Sequence, residues 1–201
     1  FSVPGFPTFT NISPTIADNA QTTFTITGTN FAAGAHVDFI LSTGAIIPAD
    51  SVTVNSATQI TAVATLATDG TYYIRIENTD GLAVRSSSAV LTISDAPAWQ
   101  TTAGSVGTFA GGTNGTLVTV SATGDTIVYS ESTNVLTNAS LANCTLNTST
   151  GVISSTDFGG SSTAATTYSF TLVATDAQNQ TSSRNFTISS SYGATGGGQF
   201  N

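Results

Sequence analysis

The feature that most constrains this chain is a two-residue alternation, repeated in short runs. Apolar side chains take every second position and mostly threonine fills the places between. Phe24 and Ile26 alternate with Thr23, Thr25 and Thr27; Ile60, Ala62 and Ala64 with Thr61 and Val63; Ile74 and Ile76 with Arg75 and Glu77. Tyr168, Phe170, Leu172 and Ala174 make the longest such run. A helix would need apolar residues spaced by three and four, whereas a strand sends successive side chains to opposite faces. Threonine outside and β-branched or aromatic residues inside fit a half-buried pleated surface. Asn78–Thr79–Asp80–Gly81 and Thr123–Gly124–Asp125 punctuate the runs with turn residues. The chain is therefore read as all-β.

The pattern stops at Asp95–Ala96–Pro97–Ala98 and then restarts. Pro97 lacks the N–H that a central strand requires, so the boundary between two domains is placed there. Val37 and Phe39, Val52 and Val54, and Leu91 and Ile93 complete the first half. Val118, Val120 and Ala122, then Ile127 to Tyr129, Leu141 to Leu146, Val152–Ile153, and Phe186 and Ile188 complete the second. Each half holds roughly seven short strands, the pattern of a β-sandwich. The expected cores are Phe24, Ile26, Phe39, Ile60 and Ile74 in one and Val120, Tyr129, Phe170, Leu172 and Ile188 in the other. The resulting division is an N-terminal arm (1–6), two domains (7–95 and 96–190) and a Gly-rich tail (191–201).

Composition excludes several functions. The 201 residues carry a net charge of −8, with only 7% charged residues, three Arg, and no Lys. Three scattered guanidinium groups cannot neutralise a phosphate backbone, so nucleic acid is not an expected partner. No apolar run approaches the roughly 20 residues of a membrane-spanning helix, so membrane insertion is not expected either. Schiff-base chemistry and Lys–Asn cross-links are impossible without Lys. Ser and Thr together make up roughly a third of the chain and stand where charges usually would.

Residues 7 to 94 resemble the IPT/TIG family of immunoglobulin-like domains. The resemblance is carried by Ile12–Ser13–Pro14, Thr25 to Phe31, Gly34–Ala35 before Val37, Thr58 to Thr61, and Gly70 to Arg75 with Asn78 and Asp80–Gly81–Leu82. Residues 97 to 190 are similar to the cadherin-like, Ig-type modules of bacterial and phage surface proteins. There it rests on Pro97–Ala98–Trp99, Leu146–Asn147, Ser149 to Ser154, Tyr168 to Ala177 and Arg184 to Ile188. The fold expected is two tandem immunoglobulin-like β-sandwiches. Lys-poor, Thr-rich tandem modules of this kind are similar to virion structural proteins of tailed phages. That resemblance implies a non-enzymatic decoration, fibre or tail accessory on the virion surface, part of a symmetric assembly. Its partners would be other virion proteins or neighbouring copies, and a host-surface glycan. The alternatives are a bacterial adhesin or surface-layer segment at the cell surface, and a glycan-binding accessory module.

The reactive residues have plainer readings. His36 is the only histidine and follows Gly34–Ala35 at a strand start, which suggests a solvent-facing ring rather than a triad or zinc site. Cys144 is alone, and an isolated thiol is most often a small buried apolar group. Asp125, Glu131, Asp157 and Asp176 could pair for glycoside hydrolysis but sit mostly at turns, where carboxylates bind local backbone. No cofactor is expected. Calcium is the ion the cadherin resemblance admits, through Asp95 and Asp176 to Asn179, although acidic clusters such as Asp-x-Asp are missing. Asn-x-Ser/Thr triplets at Asn11, Asn114, Asn138, Asn143, Asn147, Asn179 and Asn185 are largely a product of Ser/Thr abundance. Trp99 reads as a plug at the end of a sandwich or between domains. Tyr72 and Tyr73 are candidates for surface binding, with adjacent residues pointing to opposite faces. Phe1 and Phe6 in the arm, with Phe9 beside them, and Phe200 in the tail are the docking candidates.

Overall fold

In the computed structural model, which describes residues 5–160 and 164–191, every regular element is a β-strand. The chain divides between Asp95 and Ala96 into two units. The first contains β1 (Thr8–Ser13), β2 (Ile16–Ala17), β3 (Gln21–Thr29), β4 (His36–Leu41), β5 (Ile46–Pro48), β6 (Ser51–Ser56), β7 (Gln59–Thr65), β8 (Gly70–Glu77), β9 (Ala83–Arg85) and β10 (Leu91–Ile93). One sheet runs β1-β3-β7-β6. The other runs β2-β10-β8-β4-β5, with β9 also paired to β8. Only the short β2–β10 pair is parallel.

Register explains the core of this unit. Phe24 pairs with Ala62 and Ile26 with Ile60, so all four share one face. Phe39 pairs with Ile74 and Val37 with Ile76 on the opposite sheet. The two inner faces meet with the Phe24 and Phe39 rings 5.1 Å apart, and the five core residues expected here are all fully buried. Gly28 is required where β1 crosses β3. A Cβ there would lie 1.9 Å from the Thr8 carbonyl oxygen and 2.6 Å from the Phe31 ring. Tyr72, at the start of β8, is buried, and its hydroxyl donates to the Thr68 carbonyl at 2.6 Å. This bond ties the incoming loop to the strand, as a tyrosine corner does in Greek-key sandwiches.

The second unit contains β11 (Ala98–Trp99), β12 (Gly104–Ala110), β13 (Gly115–Thr119), β14 (Ala122–Thr123), β15 (Val128–Glu131), β16 (Cys144–Leu146), β17 (Val152–Ser155), β18 (Thr166–Thr175) and β19 (Thr181–Ser191). Its sheets are β12-β19-β18-β15 and β13-β17-β16, with a small β11-β14 pair. The long β18–β19 ladder places Phe170 opposite Phe186 and Tyr168 opposite Ile188. The core expected here is also buried throughout.

Three sequence expectations change. The alternation through Val118, Val120 and Ala122 is not one strand. A bulge between Thr116 and Val118 shifts the register, β13 ends at Thr119, and Ala122 belongs to β14. Of the stretch from Leu141 to Leu146 only Cys144–Leu146 is strand. The residues before it form turns, and Leu141 is exposed. Ser191 still belongs to β19, so the last strand outruns the expected boundary by one residue.

Because each unit closes its own apolar core, residues 1–95 and 96–201 expressed separately are each expected to fold. Dispersed amide spectra from both fragments would show it; an unfolded fragment would show that one half depends on the other.

Candidate functional site

Two carboxylates of the second unit, Glu131 and Asp176, are engaged by nearby backbone. Glu131 ends β15 and faces the loop that follows. Its carboxylate accepts the N–H of Val135 at 2.6 Å, of Leu136 at 2.7 Å and of Thr137 at 2.9 Å, and the hydroxyls of Thr133 and Thr137 at 2.9 Å each. The loop is thereby pulled inward and Leu136 is fully buried in the core. Burial pushes the Glu131 carboxyl up, but the hydrogen bonds from Leu136, Thr137 and Val135 outweigh it and hold the group below the ordinary value. Asp176 is itself buried and accepts the N–H groups of Gln178 and Gln180, closing the β18–β19 turn. Asp125 accepts the Gln178 amide and the Thr126 hydroxyl, which hold its carboxyl below the usual value. Asp157 is exposed, and its carbonyl accepts the Gly160 N–H. Turn duty, the plain reading of these four, is what the geometry supplies for Glu131, Asp176 and Asp125; the turn at Asp157 uses its backbone carbonyl.

The remaining candidates are scattered. His36 opens β4 and is exposed. Cys144 is buried, and burial, then the nearby Glu131 charge, push its thiol up to about 12, where it is not a nucleophile. Asp95 accepts from Asn19, through its N–H at 3.4 Å and its side-chain amide at 3.5 Å. Among the described residues no three of His, Cys, Asp and Glu come together. Trp99 is a plug within the second unit: its Nε1–H donates to the Ser182 carbonyl at 3.1 Å, and its ring packs on Phe186 and Tyr129. Asn147 caps a turn, its Oδ1 accepting the N–H of Ser149 and Thr150.

Tyr72 is not a surface-binding residue. It occupies an inward position of β8, and its hydroxyl is already bonded. Tyr73 points outward and is half-buried, with the Arg85 guanidinium 4.2 Å above its ring. Beside it Arg75 donates to Asp38 at 2.9 Å and to Glu77. Glu77 lies two residues on along β8, whereas Asp38 is 37 residues away and only the pairing of β4 with β8 brings it to Arg75. Phe6 is 67% exposed, with its carbonyl accepting from the Asn30 amide. Phe9 packs on the core of the first unit and is not part of a free arm. Phe1 and Phe200 lie outside the described residues.

Two open grooves of about 480 Å³ each lie on the second unit. One is lined by Thr133, Ser169, Thr171, Asn185 and Thr187 over the backs of Phe170 and Phe186; the other lies beside Tyr168 and Leu141. Neither contains a carboxylate, His or Cys, so neither offers an acid–base pair.

No family model matches the chain, and no curated protein matches it in sequence. Among solved structures it is similar to the eight N-terminal Ig domains of Down Syndrome Cell Adhesion Molecule, at 13% identity and a TM-score of 0.51. That match covers 92% of this chain and 25% of the other. It is also similar to a Drosophila N-cadherin fragment, at 14% identity and a TM-score of 0.40 over 94% of this chain and 51% of that one. An I-band fragment of titin matches at 14% and 0.45, over 92% and 65%. The chain thus spans about half the length of the cadherin fragment. Together with the observed topology, the likeness to the Ig-domain array identifies the fold: the chain is built of immunoglobulin-like β-sandwiches.

Proposed function

We propose that this chain is a non-enzymatic structural module of a virion surface, a decoration, fibre or tail accessory that docks on the particle and displays its Ig-like sandwiches. The observation that carries docking is Phe6. It is the most exposed large apolar side chain among the described residues, and it stands just ahead of β1 on a segment held by Asn30. An exposed ring beside proline loses little conformational freedom when a partner surface covers it. The engagement of Asp125, Glu131 and Asp176 in turns supports a non-enzymatic role. The virion setting draws its support from the sequence resemblance, and the Thr- and Ser-covered outer faces suit displayed modules that stay soluble with few charges. A calcium requirement is not part of this reading.

The test uses the intact chain with Phe1 and Phe6 changed to Ser, assayed for incorporation into the assembled particle. Incorporation is expected to fall at least about tenfold, the effect of losing a buried aromatic anchor. Unchanged incorporation would move docking to a sandwich face, and absence of the unmodified chain from particles would overturn the virion assignment itself.

A further inference from the structure

The two arginines of the first unit lie on one face. Strand pairing sets Ile46, Ile40 and Tyr73 in one row across β5, β4 and β8, on the side away from the core. The next row holds Asp38, Arg75 and Arg85, and His36 faces Glu77 in the row after that. Both arginines of the first unit and the chain's only histidine are therefore on this face. Ile46 is 63% exposed at its edge.

The charges here do not balance locally. Arg75 is bound by both Asp38 and Glu77, so that group carries one net negative charge. Arg85 stands directly opposite Arg75 in the β8–β9 register, where a like charge is unfavourable. It lies instead over the Tyr73 ring, and among the described residues it has no carboxylate partner. One surface thus offers an unpaired positive group, a group with an unpaired negative charge, and beside both the exposed Ile46 and half-buried Tyr73, with Ile40 buried between them. Everywhere else the chain sets nine carboxylates (11 less Asp38 and Glu77) against Arg184.

We propose that this face is self-complementary and pairs two copies of the chain. The apolar rows meet, and Arg85 of each copy is set against the Asp38–Arg75–Glu77 group of the other. A two-fold contact repeats every such pairing twice, which is why one positive and one negative excess on the same face suffice. A face about four strands wide covers roughly 300 to 400 Å² per copy at the usual strand spacing. The roughly 600 to 800 Å² buried in total is below the about 1,000 Å² a stable pair needs, so the pair is weak and reversible and is weakened further by salt. The proposal is independent of docking through Phe6.

The test is sedimentation of the full chain over a concentration series at low and high salt. A dimer is expected at high concentration, with a dissociation constant that rises with salt. Arg85→Glu and Ile46→Asp should each raise that constant about tenfold or more while leaving thermal unfolding unchanged. Mixing Arg85→Glu chains with Glu77→Arg chains should restore pairing between the two, because each then supplies the charge the other lacks. A chain that stays monomeric throughout overturns the proposal. So does a dimer indifferent to both substitutions, or one lost on changing Phe6 instead.

Discussion

Replacing Phe170 with Ala is expected to destabilise the second unit by about 3 to 5 kcal/mol. The ring is 2% exposed, lies opposite Phe186 in the β18–β19 ladder, and has its centroid 6.0 Å from that partner. Truncation removes transfer energy and leaves a cavity in the longest strand pair of the unit, which cannot collapse without breaking that ladder. Trp99 is the chain's only tryptophan and is buried in the same cluster, so denaturant unfolding followed by its fluorescence reports this unit. Thr171→Ala, one residue along and facing outward, is expected to change stability by less than about 0.5 kcal/mol. If the two effects were reversed, the register of β18 would be wrong by one residue, since a single slip exchanges the faces.

Glu131→Ala is expected to cost about 2 to 3 kcal/mol at pH 7, because three backbone N–H groups lose a charged acceptor together. The figure is kept modest because the carboxylate is partly exposed to solvent, which screens it. The sign of the pH dependence follows from the depressed folded value of this carboxyl. Its contribution is complete above the unfolded value of about 4.3 and is lost as pH falls through the lower folded value. The second unit should therefore lose stability in acid below about pH 4, and Glu131→Gln should be less stable at neutral pH and show a flatter acid limb. Trp99 fluorescence measured during unfolding at a series of pH values separates the two. Equal slopes in the parent and Glu131→Gln proteins would mean that another group governs the acid transition.

The two proposed surfaces differ in how far they could be read from residues alone. Phe6 was visible because no alternating run accounts for it. Tyr72 and Tyr73 were visible as a pair, but which of them is free depends on register, and the free one is the less conspicuous Tyr73. The Asp38–Arg75–Glu77 group and Arg85 carried no sequence signal, because Asp38 and Arg75 lie 37 residues apart and meet only through the pairing of β4 with β8. Glu131 was legible as a turn carboxylate. That it seats Leu136 in the core was not, since the loop between them has no periodicity.

Alternation, turn residues and the break at Pro97 were enough to determine the class of fold and the ten core side chains expected, but not the buried Tyr72, Leu66, Leu136 and Phe158. Those properties follow from the two-residue period of a strand, which is local. Three things were decided only by tertiary structure: where the Val118 to Ala122 run breaks, which carboxylates meet which donors, and which outward side chains share a face. Each depends on which strands become neighbours and in what register, and that is set by the closure of the two sheets over a common core rather than by any stretch of sequence on its own.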